Sequence, residues 1–348
     1  DPGVLEGPDG TIYFIADVNP TGGTTMGGYR KPGVGTGYIN VDNGQDKGRY
    51  QAITADWDTS CNVEPKDDDL SSYPYYIGDL NEDGFAEILN RADGSPTGFG
   101  VDEWYNLYSC REGVFADDLD RSTVVNNDKM KIQQNAFYKD SSYHVFGNTD
   151  YLWVITSKDG GKTWEHPRDL TDQIKRNEEN AVDNNGRKLP KDRALLVSPG
   201  QGISTSAGDL IIGFYDNGAG DEENASIVYS TDNGETWERT NDMQRSEDDG
   251  FWTSENEIVE LEDGTLRMFA RNGRGKICYG DAKKDPETGK YEMEDTSVVT
   301  DVGSTSTCNV TAISYSKKIN GKQAILVGCP TGGARAKGRI FTFLVDPE

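Results

Sequence analysis

Two octapeptides constrain the fold of this chain more than anything else in it. SKDGGKTW at 157–164 and STDNGETW at 230–237 share the template S-x-D-x-G-x-T-W, and each follows an apolar run. The aspartates, Asp159 and Asp232, can accept backbone N–H groups of their own turns, with Ser157 and Ser230 opening each turn. Gly161 and Gly234 supply a positive-φ position, and Trp164 and Trp237 are expected to bury a large face against the preceding strand. The eight residues read as structural staples of hairpins. A short sheet unit that recurs implies a propeller or a solenoid.

The rest of the chain fits that reading. GTIYFIADV, SYHVFG, LWVITSK, DLIIGFYD, ASIVYST, GTLRMFAR and AILVGC alternate or run apolar over strand lengths and are bounded by Gly, Asn, Asp or Pro. DLTDQIKRNEENAV is the best helix candidate. The protein is therefore expected to be all-β. Between Asp58 and Asp150 the texture changes, with the acidic EPKDDDL and the aromatic VDEWYNLY. This divides the 348 residues into a first propeller part at 1–65, an inserted β domain at 66–150 and a continued propeller at 151–348.

Composition removes whole classes of function. Sixty acidic against 35 basic residues leave a net charge of -25, which repels a polyphosphate backbone, so nucleic acid is no partner. No apolar run approaches the ~18 residues of a membrane helix. Only His144 and His166 occur, too few for a histidine metal centre or a Ser/His/Asp triad. The five cysteines, Cys61, Cys110, Cys278, Cys308 and Cys329, show no CxxC pair. A Cys61–Cys110 disulfide is compatible with the sequence, but spacing does not fix it. In GDLNEDGFAE, Asp79, Asn81, Asp83 and Glu87 alternate around Gly84 like the first nine positions of a calcium loop, yet Asn90 stands where the loop ends on Glu. A structural calcium and a plain acidic turn both fit, and no other cofactor is required.

Chemistry concentrates in TSENEIVELEDGTLRMFARNGRG. It reads as a strand, an EDG turn and a return strand, which brings Glu255 and Arg271 to the same end of one hairpin. Such a pair is either an ordinary cross-strand ion pair or an acid and a guanidinium facing a common space. Glu257 lies two positions on and is the second choice as a base.

The octapeptides resemble the Asp boxes of sialidases, and ENEIVELEDGTLRMFARN resembles the sialidase hairpin that carries a catalytic glutamate and the second arginine of a carboxylate-binding triad. RALLVSPGQGISTSAGDLIIGFYD is similar to the family's run before an Asp box. SYSKKINGKQAILVGCPTGGARAKGRI resembles the strand and loop of the third arginine, which assigns that role to Arg335. The resemblance covers roughly 1–60 and 150–348. It implies a six-bladed β-propeller, incomplete in this chain, with an irregular β domain inserted as in large secreted bacterial sialidases. It also implies glycoside hydrolysis of terminal sialic acids on sialylated glycans, outside the cell or at its surface. The family's general acid, an aspartate in a motif like DWGxID, is laid over DKGRYQAI at Asp46, with Asp42 next. DPGVLEGPDGTIYFIAD resembles the family's first strand, whose arginine would stand just before Asp1, and no tyrosine follows Arg335 where the family keeps its nucleophile. The expectation is a fragment of a longer enzyme that hydrolyses little by itself.

The residue types suit the chemistry. A sialoside carries a carboxylate on its anomeric carbon, and arginine grips a carboxylate through two parallel hydrogen bonds. That charge repels a carboxylate nucleophile, so a neutral tyrosine serves, with a glutamate to take its proton. A noncatalytic sialoglycan-binding or adhesion propeller is the alternative from another class, and a trans-sialidase is a third.

Overall fold

The computed structural model describes residues 2–18, 52–54, 74–78, 85–102, 106–109, 131–135, 143–146, 151–165, 167–176, 179–182, 188–190, 192–218, 223–243, 252–273, 275–299, 307–331 and 335–346. The chain forms two compact units: Asp1–Asp17, Leu152–Lys175 and Leu195–Glu348 make the first, Val18–Tyr151 and Arg176–Ala194 the second. Nearly all described structure is strand, as the alternating runs imply.

The first unit holds a series of small sheets. In the first sheet Arg168–Asp169, Tyr151–Ser157, Ile12–Val18, Pro2–Glu6 and Gly200–Gln201 lie side by side in that order. The second sheet has Asp192–Val197, Leu210–Gly218, Glu223–Ser230 and Glu238–Arg239, with Ile203–Ser204 also pairing to Leu210–Gly218. A third has Thr253–Glu260, Leu266–Asn272, Ile277–Lys284 and Tyr291–Val299, and a fourth has Thr311–Ile319, Lys322–Thr331 and Lys337–Val345. These last two are antiparallel meanders, the blade unit of a propeller.

Alternation along each strand decides how the sheets stack. Leu210, Ile212 and Phe214 point into a core shared with Leu5, Ile15 and Val154 of the first sheet and with Trp237 of the second Asp box. Ile211 faces the other way, into a core with Ile258, Leu266 and Met268 of the third. Phe269 and Ile277 in turn meet Val310, Ile325 and Val327 of the fourth. A strand buried on both faces reads as a continuous apolar run, which is why DLIIGFYD looks as it does. The outer face of the fourth sheet bears exposed Ile313, Tyr315, Ile340 and Leu344.

Both octapeptides fold as the residue types require. Asp159 accepts the N–H groups of Lys162 and Thr163, each at 2.9 Å, and the Thr163 hydroxyl at 2.6 Å. These donors hold its carboxyl down at about 2. Asp232 repeats the pattern with Thr236. Gly161 and Gly234 have φ of 84° and 78°. The tryptophans differ from expectation. Trp237 is buried, whereas Trp164 is 43% exposed and meets only the edge of Phe14, 6.4 Å between ring centroids. Trp237 lies between two packed sheets, whereas Trp164 packs at the edge of Phe14 with much of its ring exposed. The octapeptide sets the turn, and neighbouring sheets set the burial.

The helix candidate is corrected. Thr171–Ile174 makes a single turn, started by the Asp169 carboxylate accepting the Thr171 N–H at 2.8 Å. Lys175 then turns extended, and Glu179–Val182 becomes a strand paired with Lys188–Pro190. Leu170 and Ile174, four residues apart, put that one turn's apolar face into the core.

In the second unit a seven-stranded antiparallel sheet runs in the order Lys131–Asn135, Asn106–Ser109, Pro96–Asp102, Phe85–Asn90, Tyr75–Ile77, Ala52–Thr54, His144–Phe146. Ile77, Ile88, Val101, Leu107 and Tyr108 are its buried residues. Glu87 lies half-buried in Phe85–Asn90, while Asp79, Asn81 and Asp83 lie outside the described residues. Cys61, Cys110 and His166 lie outside them too. Among the described residues no group of three or more His, Cys, Asp or Glu is placed to hold a metal ion.

Candidate functional site

Side-chain contacts fix which ends of the sheets share a side. Glu260, at the end of Thr253–Glu260, takes the Ser206 N–H at 2.8 Å, just before Leu210–Gly218. Glu262, in the turn after Thr253–Glu260, pairs with Lys318, near the end of Thr311–Ile319. These turns lie on one side. The opposite side therefore gathers the start of Thr253–Glu260, the end of Leu266–Asn272, the end of Leu210–Gly218 and the connection after Lys322–Thr331.

That side carries Glu255 and Arg271. Arg271 Nη1 donates to Glu255 Oε2 at 2.6 Å, with the two side chains 22% and 20% exposed. Pairing shifts between Thr253 and Asn256, a bulge that re-aims the residues at this end of the strand. The guanidinium lies over the Trp252 ring, 5.2 Å from its centroid. Gly273 leaves room for that ring, since a Cβ there would meet Trp252 Nε1 at 2.7 Å. Arg271 Nε is buried without a hydrogen-bond partner. Nη2 makes no hydrogen bond among the described residues, so the guanidinium holds donors that the fold does not use.

Tyr215, near the end of Leu210–Gly218, was not singled out by the sequence. Burial first, and then the negative charges of Glu255, Glu223 and Asp17, push its phenol well above the ordinary range, with Arg271 opposing. The phenol stays neutral, a donor rather than a nucleophile. DLIIGFYD looks like core, and nothing in it says that the charges of Glu255 and Arg271 act on Tyr215 from another sheet.

Arg335 sits in the connection after Lys322–Thr331 with φ of 56°, exposed, donating from Nη2 to the Thr307 carbonyl at 3.3 Å. It shares this side with the Glu255–Arg271 pair but no hydrogen bond or ion pair with it. Asp46 and Asp42 lie outside the described residues.

Glu257 does not join Arg271. It is buried against Gly200 and Gln201, its one hydrogen bond the Gln201 N–H at 3.3 Å. Burial lifts its carboxyl to about 7 from 4.5. Below about pH 4.5 the group is protonated folded or unfolded; between 4.5 and 7 the unfolded chain loses the proton first, so stability falls and then levels. Glu257→Gln is expected to stabilise the protein at pH 8 by on the order of 2 kcal/mol and not at pH 4. Chemical denaturation at the two pH values checks this, and equal effects at both would contradict it.

The chain is similar to several known proteins. Over 345 residues the chain is 28% identical to the anhydrosialidase of Macrobdella decora, covering 96% of this chain and 39% of that protein. It is 28% identical over 269 residues to sialidase B of Streptococcus pneumoniae serotype 4, covering 75% of this chain and 35% of that one. The leech intramolecular trans-sialidase, solved with 2,7-anhydro-Neu5Ac, superposes with a TM-score of 0.61 at 25% identity, covering 99% of this chain and 46% of the other. The chain thus spans well under half the length of these relatives. The family description BNR repeat-like domain matches residues 92–346. With that match over most of its length and blade sheets stapled by two Asp boxes, the chain belongs to the BNR repeat-like domain family and is a relative of the sialidases.

Proposed function

We propose that this chain is the carboxylate-gripping part of an exo-sialidase, acting on terminal sialic acids of glycoconjugates outside the cell or at its surface. The observation that carries the reading is Arg271, stacked on Trp252, held by Glu255 through Nη1, and still holding unused donors. A guanidinium in this state suits a ligand carboxylate. Arg335 on the same side is the second grip, and the general acid is Asp46. As the sialidase resemblance implies, Glu255 takes the proton of the family's tyrosine nucleophile, a role to which no residue of this chain is assigned; that phenol attacks the anomeric carbon and forms a glycosyl-phenol bond as Asp46 protonates the departing aglycone oxygen, and water then breaks that bond. Tyr215, held neutral, offers its hydroxyl to the bound sugar. The relatives named anhydrosialidase and intramolecular trans-sialidase support transfer within the sugar as a second outcome, and both outcomes need the same carboxylate grip. The inserted domain read at 66–150 lies within the residues of the second unit, which is larger, Val18–Tyr151 with Arg176–Ala194.

Binding tests this reading. The chain is titrated with an α-methyl sialoside and with the methyl ester of the same sugar. Esterification and Arg271→Met are each expected to weaken binding roughly 10- to 100-fold, the worth of a charge-assisted bond pair. Equal binding of acid and ester by the unaltered protein would overturn the proposal.

A further inference from the structure

Among the described residues, four non-glycine positions have positive φ: Asn233, Thr307, Asn320 and Arg335. Asn233 lies inside an Asp-box turn and Asn320 in an Asn-Gly hairpin turn, where such a conformation is ordinary. Thr307 and Arg335 lie in neither, and they are joined to each other by the 3.3 Å bond from Arg335 Nη2 to the Thr307 carbonyl. A β-branched residue in this region is strained and persists only where its surroundings hold it.

Two thiols flank this contact. Cys308 follows Thr307 directly and is half-buried, and Cys329 lies near the end of Lys322–Thr331, 5% exposed. Both are free, and Cys308 is near enough for its charge to act on Cys329. The ladder begins at Thr311 opposite Gly328. Continued one step, it sets Val310 opposite Cys329, and both belong to the core shared with the third sheet. Extended two residues further in the same register, the ladder would make Cys308 the diagonal neighbour of Cys329 on the same face. Diagonal neighbours have Cα atoms about 7–8 Å apart, and a disulfide needs about 4.4–6.8 Å. The difference is about an ångström, and Thr307–Val310 precedes the ladder, so closing it breaks no strand pairing.

We propose that Cys308 and Cys329 are a disulfide-forming pair, and that the bond fixes the Thr307 carbonyl on which Arg335 rests. The oxidant is a small-molecule disulfide such as glutathione disulfide. The Cys308 thiolate, the more accessible, attacks one of its sulfurs and releases a glutathione thiolate. Cys329 then loses its proton and displaces the second glutathione, so two protein thiols lose two electrons and two protons, and one glutathione disulfide becomes two glutathiones. Burial, which raises the Cys329 thiol, keeps it unreactive toward outside reagents until Cys308 presents the mixed disulfide.

Mass spectrometry of the folded chain after equilibration with glutathione disulfide tests the pair without reference to any ligand. The expected result is the loss of two hydrogen masses and one cross-linked tryptic species joining Tyr291–Lys317 to Gln323–Arg335, absent after reduction. Alkylation of both cysteines after that equilibration would overturn the proposal, as would a cross-link from Cys329 to Cys278, Cys61 or Cys110. Comparing sialoside affinity in the oxidised and reduced forms is a separate readout, and failure of binding leaves the mass result standing.

Discussion

Trp237→Ala is expected to cost about 3–5 kcal/mol of folding stability, and Trp164→Ala about 1 kcal/mol or less, although the two tryptophans end the same sequence template. Trp237 is 2% exposed. Its ring meets Tyr13 edge-on at 6.1 Å, its Nε1 donates to the Gly234 carbonyl at 3.2 Å, and its backbone N–H donates to the Gln173 side chain at 2.8 Å. Tyr13 in turn donates its hydroxyl to the Asn233 carbonyl at 2.7 Å, so the second Asp box is clamped to the first sheet. Truncating Trp237 opens a cavity between two sheets that cannot easily collapse, whereas truncating Trp164 removes an exposed edge contact. Denaturant midpoints of the two variants decide the matter. Equal losses would mean that the template alone, and not the neighbouring sheet, sets the energetics.

A similar loss, about 3–5 kcal/mol, is expected for Asp216→Ala, because it removes a buried ion-pair partner of a buried guanidinium. Arg239 and Asp216 are 4% and 1% exposed and form an ion pair. Arg239 also lies over the Phe214 ring at 4.7 Å, donates from Nε to Ser226 at 2.8 Å, and reaches Asp242 at 3.2 Å. Asn224 donates to the Asp216 carboxylate at 3.1 Å. With Asp216 gone, Arg239 loses its most buried counter-charge, while Asp242, a more exposed one, remains at 3.2 Å. The double change Asp216→Leu with Arg239→Met removes the charge and its partner together and is expected to recover most of the loss. If the double variant is no better than Asp216→Ala, the cost lies in packing rather than in an orphaned charge. Since Asp216 adjoins Tyr215, ligand binding by the double variant also shows whether this pair positions the phenol.

The all-β fold was legible because turn chemistry is local. An Asp accepting its own turn's amides and a Gly at positive φ need no distant partner, so the octapeptides announced themselves and their turns folded as read, although Trp164 did not become core. The Glu255–Arg271 pair was legible for a related reason: a hairpin with a short EDG turn fixes which residues share an end, whatever packs against it. The helix over DLTDQIKRNEENAV is confined to the turn Thr171–Ile174, because Lys175 is extended and Glu179–Val182 is taken into a strand pair with Lys188–Pro190. Glu257 reads as the equal of Glu255 on alternation alone. The bulge between Thr253 and Asn256 breaks that alternation, and the Gly200–Gln201 strand then buries Glu257.

What this sequence determined by itself is the sheet-building grammar and the one hairpin that brings an acid and a guanidinium together, since both depend on interactions spanning a handful of residues. Tertiary structure alone decided which of two like tryptophans is core, which of two neighbouring glutamates meets arginine, and that Tyr215 and the Thr307–Arg335 contact stand on the same side. Each of these depends on which sheet packs against which, and burial and field strength are properties of that packing, absent from any single segment.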